Sequence, residues 1–187
     1  DLGRAARLAW FVLLAWLALR AAMLLVEVAS RPIYPWDAWS AWATKAKVYF
    51  AERAIVPFGD AAQWMAAAPG TWYDAAPGQP ATLPLVQAWI ATAMGRFDDA
   101  RVTLPWWLWF VALLLVTYGE ARRRGVGRLP SLAAAWFAGS LPLMGAQVAL
   151  AGYADLPTAA AFTLGALAGA RAARTRAPVD ALAATLA

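Results

Sequence analysis

Residues 8–29 read LAWFVLLAWLALRAAMLLVEVA, an apolar run interrupted only by Arg20 and Glu27. A helix rises about 1.5 Å per residue, so about 20 such residues cross the hydrocarbon core of a bilayer. A run of this length predicts a transmembrane helix, around which the rest of the chain must be organised. The composition agrees: the 187 residues are 63% hydrophobic and 14% charged, where a soluble domain carries about 25% charge. Three further spans are expected, at 102–119, at 129–150 with Pro142 as a kink, and at 155–172, whose small residues suit close helix packing in lipid. Residues 178–187 read as the start of another span. The chain opens on Asp1 and closes inside an apolar run, and so reads as a fragment of a longer protein. The expected fold class is all-α: a multi-pass integral membrane protein, one membrane domain over 1–187, with about four transmembrane helices.

Between the first two spans lies 30–101. There WDAWSAWATKAKVYFAER sets Trp39, Trp42, Ala46, Tyr49 and Arg53 on one helical face. This predicts an amphipathic juxtamembrane helix over 38–55, lying in the headgroup layer. Pro- and Gly-rich loops follow, and then PLVQAWIATAMG at 84–95, short for a span and expected to be re-entrant or at the surface. If 84–95 does not cross, nine arginines, from Arg4 and Arg7 through Arg122–Arg124 and Arg128 to Arg171, Arg174 and Arg176, share one side, against six basic residues spread over the long loop. If it crosses, the split becomes four inside against eleven outside. The positive-inside rule selects the first arrangement. The segment 30–101 is then an outer loop, and Asp37, Asp98, Asp99 and Asp155 all face outward.

The residue inventory narrows the chemistry. The chain has no cysteine and no histidine, which removes thiolate nucleophiles and the commonest metal ligand and general base. Acid–base work falls to carboxylates, Lys or Tyr. The basic residues flank apolar runs, a topology signal rather than a nucleic-acid stripe. No GxGxxG, GxxxxGK[ST] or HExxH motif occurs, so a cytosolic nucleotide donor is not indicated, and scattered carboxylates give no case for a metal.

Asp37, in YPWDAWSAWATKAK, has two compatible readings: N-cap of the 38–55 helix, and a carboxylate held at the membrane face beside Trp36. Asp155, in GYADLP, has the same pair of readings, with Tyr153 beside it and Pro157 inside the first turn. Lys45 and Lys47 are placed to reach phosphates. Arg20, inside the first span, must face protein or water, and Glu27, two turns on, is its expected loose partner.

The order of these pieces, with YPWDAWSAWATKAK, then APGQPATLPLVQAW, an Arg-rich turn and GYADLP, resembles bacterial membrane glycosyltransferases of the C-type (GT-C) fold. These are relatives of protein O-mannosyltransferases and of the aminoarabinose transferases that modify lipid A. The similarity covers most of the chain. It implies a GT-C-like fold in the bacterial cytoplasmic membrane with the active site on the outer face. It also implies transfer of a sugar from a polyprenyl-phosphate donor to a glycan, lipid or protein acceptor, with no cofactor beyond that donor. Asp37 matches the general base and Asp155 the later outer-loop acid; Lys45, Lys47 and, more weakly, Arg20 match cations that hold the lipid phosphate. Relatives commonly carry a His-Pro-x-Tyr-Pro type motif where this chain has APGQP, with Pro77 and Pro80 kept and Ala76 and Gln79 in place of His and Tyr. The alternative expectation is a non-catalytic transporter or lipid-carrier subunit of similar architecture.

Overall fold

The computed structural model describes residues 3–66 and 70–175. The expected span start at 178–187 lies outside the described residues. Among them the regular elements are all helical: α1 (Arg4–Ser30), a π-helix (Ala38–Ala43), α2 (Thr44–Glu52), α3 (Ala61–Met65), α4 (Thr82–Met94), a 3₁₀ turn (Arg101–Thr103), α5 (Leu104–Arg123), α6 (Arg128–Ser140), α7 (Pro142–Ala149) and α8 (Asp155–Thr175). One isolated bridge, Gly59 to Tyr73, is the extended pairing among the described residues.

Two helices are long and apolar enough to cross a membrane, Arg4–Ser30 and the 23-residue helix Arg101–Arg123. The expected span at 129–150 is instead two helices, α6 and α7, bent by 58° at a short break; counted as one, they make a third candidate. Pro142 opens α7, and a proline has no N–H to continue the ladder of the preceding helix. The expected span at 155–172 is helical, but α8 is not among the candidates; Asp155, Arg171 and its many small residues dilute its apolarity. Residues 84–95 form α4, whose 13 residues reach only about 20 Å at 1.5 Å each, short of the bilayer core. Gly95 closes α4 at φ 71, in the left-handed region that glycine adopts without strain.

The single domain expected from sequence packs as two compact units. The first comprises α1 to residue 25, α5 from residue 106, and α6, α7 and α8. Trp106 and Phe110 are fully buried in it. A Cβ built on Gly139 would lie 3.0 Å from side-chain carbons of both Leu17 and Leu114, so α1, α5 and α6 approach where a side chain barely fits. The indole N–H of Trp107 donates to the Ala21 carbonyl at 2.7 Å.

The second unit spans 26–105 with 149–153. Here the π-helix and α2 pack against α4, and the 3₁₀ turn against α4. The buried face comprises Ala38, Ala41, Trp42, Lys45, Ala46, Val48 and Tyr49 against Leu83, Gln87, Ala88 and Ala91. The aromatic face assigned from sequence to the headgroup layer therefore lies largely inside the unit, with Trp39 and Arg53 at its exposed ends. The helix stops at Glu52 because Arg53 turns left-handed, φ 52.

Candidate functional site

The second unit gathers most of the residues nominated from sequence. Asp37 does not cap the helix. The turn begins one residue earlier, where the Trp39 N–H donates to the Pro35 carbonyl at 3.1 Å. Asp37 is already helical at φ −65, ψ −33, and makes no side-chain cap bond. An N-cap residue keeps extended backbone so that its side chain can fold back onto the helix end; Asp37 lacks that backbone, and its carboxylate is exposed. Its neighbour Trp36 is exposed and meets Trp39 edge to face at 5.0 Å.

The helix that follows is wound in the π form. The Thr44 N–H and the Thr44 hydroxyl both reach the Trp39 carbonyl, the hydroxyl at 2.7 Å. Such widened turns are uncommon and concentrate at functional sites. The segment 149–153 packs on this turn. Gly152 stands at φ +114, and a Cβ there would fall 2.6 Å from the Ala38 Cβ, so only glycine allows this approach. Tyr153 of the GYADLP motif thus belongs to the same unit as Asp37. Asp155 belongs to the other unit, as the exposed first residue of α8 beside a shallow pocket that Thr158 and Phe162 also line.

Lys45 lies inside. Its ammonium is 2.8 Å from Asp74 Oδ2, with the two side chains 4% and 6% exposed. It also donates to the carbonyls of Ala76, 2.8 Å, and Gln79, 3.1 Å. An ammonium has three protons, and all three are committed. Asp74 Oδ1 in turn accepts the Ala76 N–H at 2.8 Å. The clamp pins the proline-rich loop to α2, and it does so through the backbone of Ala76 and Gln79, the two positions that depart from the resembled motif. Burial, and then the Asp74 charge, push the Tyr49 phenol above its ordinary pKa.

Lys47 is the accessible cation of the pair. It is half exposed, bound to Asp99 at 3.0 Å, and lies over the Phe97 ring at 5.4 Å. Exposed pairs of this kind contribute about 0–1 kcal/mol, so the ammonium is easily exchanged to another anion. Between α2 and α4 a groove of about 600 Å³ opens, lined by apolar residues including Ile55, Leu85 and Trp89, with Arg53 as its one charged lining residue.

Arg20 has a different use from the one expected. Its Nε donates to the Gly139 carbonyl at 2.7 Å, and its guanidinium lies over Trp16 at 5.5 Å. Gly139 is in the last turn of α6, where carbonyls lack helical partners, and Arg20 supplies one at the α6–α7 break. A Cβ on Gly145 would sit 2.3 Å from Arg20 Nη2, so a glycine makes the space. Glu27 pairs with Arg31 at 2.9 Å rather than with Arg20.

Asp74 and Tyr49 were not nominated from sequence. Lys45 lies three residues after Trp42 and four before Tyr49, on the side that the structure buries rather than lays in the headgroup layer; a buried lysine needs a counter-ion, but its spacing does not say which acid supplies it. Among the described residues, no group of three or more His, Cys, Asp or Glu converges as metal ligands would. No protein-family model matches the chain, and no curated protein or solved structure is detectably similar to it.

Proposed function

We propose that the chain is the catalytic part of a GT-C-like membrane glycosyltransferase that moves a sugar from a polyprenyl-phosphate donor to an acceptor hydroxyl at the outer face of a bacterial cytoplasmic membrane. The observation that carries this reading is the Asp37 carboxylate, exposed, free of a capping bond, and set immediately before a π-helical turn beside the exposed Trp36 and Trp39. A general base must be reachable by the proton it takes, and an exposed carboxylate with no bond of its own at the helix start meets that need. In the proposed reaction Asp37 takes the acceptor's hydroxyl proton. The oxygen attacks the anomeric carbon as its bond to the phosphate oxygen breaks, inverting that centre, and the polyprenyl phosphate leaves with the bonding pair. Lys47, exchanging from Asp99, steadies the phosphate charge, with Trp36 and Tyr153 bordering the acceptor. Lys45 acts at one remove, holding the loop. The four-span topology and a supporting role for Asp155 are part of the same proposal.

A second reading rests on the bent α6–α7 pair. Helices broken within the membrane, whose freed backbone groups bind substrate or ions, are a feature of transporters, and the bent α6–α7 pair has the broken form. The carbonyl freed there is already occupied by Arg20, which favours the first reading.

The test is donor turnover by the full-length protein in proteoliposomes containing polyprenyl-phosphate hexoses, wild type against Asp37→Asn. Removing a general base should lower turnover by about 10²–10⁴-fold, with the melting temperature unchanged because Asp37 holds no structural bond at the helix start. Turnover indifferent to Asp37→Asn ends the glycosyltransferase mechanism. Carrier flux without sugar transfer moves the assignment to the transporter.

A further inference from the structure

The segment around α3 has an arrangement that water does not explain. None of its five helical residues is buried. A helix this short has no stability of its own and normally persists by packing an apolar side inward. Here the large apolar groups point outward: Trp64 is 52% and Met65 75% exposed, with Trp72 and Tyr73 at 38% each. The Trp64 and Tyr73 rings meet at 5.7 Å, tilted by 36°.

The polar groups do the opposite and close on themselves. The Asp60 carboxylate accepts the Gln63 N–H at 2.8 Å, and Gln63 Oε1 accepts the Asp60 N–H at 3.0 Å, a reciprocal cap. The Gly59 N–H donates to the Trp72 carbonyl at 2.8 Å. Gly59 must be glycine for this, since a Cβ there would come 2.4 Å from Thr71 Cγ2. Across 54–66 and 70–73 the one charged residue is Asp60, and its carboxylate is in use as the cap. A reciprocally capped short helix, outward tryptophan and tyrosine, and almost no charge are what the headgroup–acyl boundary of a bilayer favours. The chain enters and leaves the surrounding segment 30–101 directly from the two candidate spans, which keeps a membrane within reach of it.

We propose that the α3 segment, with Trp64, Met65, Trp72 and Tyr73, is a membrane wedge that seats in the lipid headgroup boundary. The occupant of this face is the bilayer itself. The assignment does not depend on the glycosyltransferase reading.

The chain contains no cysteine, so a single spin label can be placed without background from it. Met65→Cys, labelled in the full-length protein in phospholipid nanodiscs, is read by collision with oxygen and with a water-soluble nickel complex. A seated wedge puts the label at about 5–10 Å below the surface, with oxygen collisions dominating. Adding Trp64→Ala and Trp72→Ala then returns the label to nickel contact. A label at Ala62, in the same short helix, serves if Met65→Cys does not fold, with the same expected oxygen-dominated result. Nickel-dominated contact in the unaltered wedge overturns the proposal, as does nickel contact that added oligosaccharide blocks; the latter would make the exposed rings a sugar platform.

Discussion

Replacing Lys45 by methionine leaves the Asp74 carboxylate buried with no counter-ion, and strips a donor from the carbonyls of Ala76 and Gln79. Removing one member of a buried ion pair costs about 3–5 kcal/mol, chiefly for the charge left behind. Asp74→Asn should cost a similar amount by stranding the ammonium. The double variant has no stranded charge. It still loses two bonds to loop carbonyls, at about 1 kcal/mol each, so it should cost about 2 kcal/mol, less than either single change. The assay is denaturant unfolding in detergent micelles for the four proteins of the cycle. Hydrogen exchange at the Ala76 amide, bonded to Asp74 Oδ1 at 2.8 Å, serves as the local readout and should speed up in both single variants. Single costs that simply add in the double variant, within about 0.5 kcal/mol, would refute the clamp.

Three further outcomes follow from the same geometry. Arg20→Met should destabilise the first unit by about 1.5–3 kcal/mol, the range for a hydrogen bond from a charged donor, and Gly145→Ala should do so by displacing the guanidinium; thermal melts in detergent that leave both unchanged would remove Arg20 from the α6–α7 break. Gln87 is fully buried with neither amide atom bonded, so Gln87→Met should stabilise by about 1–3 kcal/mol, and a loss of stability in the same melts would mean the amide holds a partner. Tyr49 has a folded pKa raised above its ordinary 10.0, so the folded state resists an ionisation that the unfolded chain undergoes. Its contribution is intact below about pH 10 and is lost as pH rises through the folded value; the wild-type stability curve should therefore fall more steeply than that of Tyr49→Phe above pH 10, and parallel curves would contradict this.

Much of the helix pattern was legible because its cause is local. An apolar run as long as 8–29 has one stable form in lipid.

 The shortness of 84–95 was legible for the same reason. The end of the helix at Glu52 was not, since Arg53 takes a left-handed conformation that its residue type does not announce. Nor was the division of 129–150 into two helices bent by 58°; Pro142 marked a kink, but its size depends on what receives the freed carbonyls.

The candidate site divides along the same line. Asp37, Trp36 and Lys47 stood out as polar and aromatic residues beside a span, and they are exposed in the second unit. The capping role for Asp37 failed because the helix starts one residue earlier, at a turn closed by the Pro35 carbonyl. Lys45 and Lys47 looked equivalent as two lysines in one basic run. A difference of two residues on a helix turns them to opposite sides, and one became a buried clamp while the other stayed exposed.

By itself, the sequence determined that this chain is helical and carries helices long and apolar enough to cross a membrane, because hydropathy and helical period act over neighbouring residues and need no partner. Only the tertiary structure decided what its charges do. The partner of Lys45 lies 29 positions away at Asp74 and that of Arg20 lies 119 positions away at Gly139. A charge inside a low-dielectric interior takes whichever partner the fold brings within about 3 Å, and no local pattern specifies that distance.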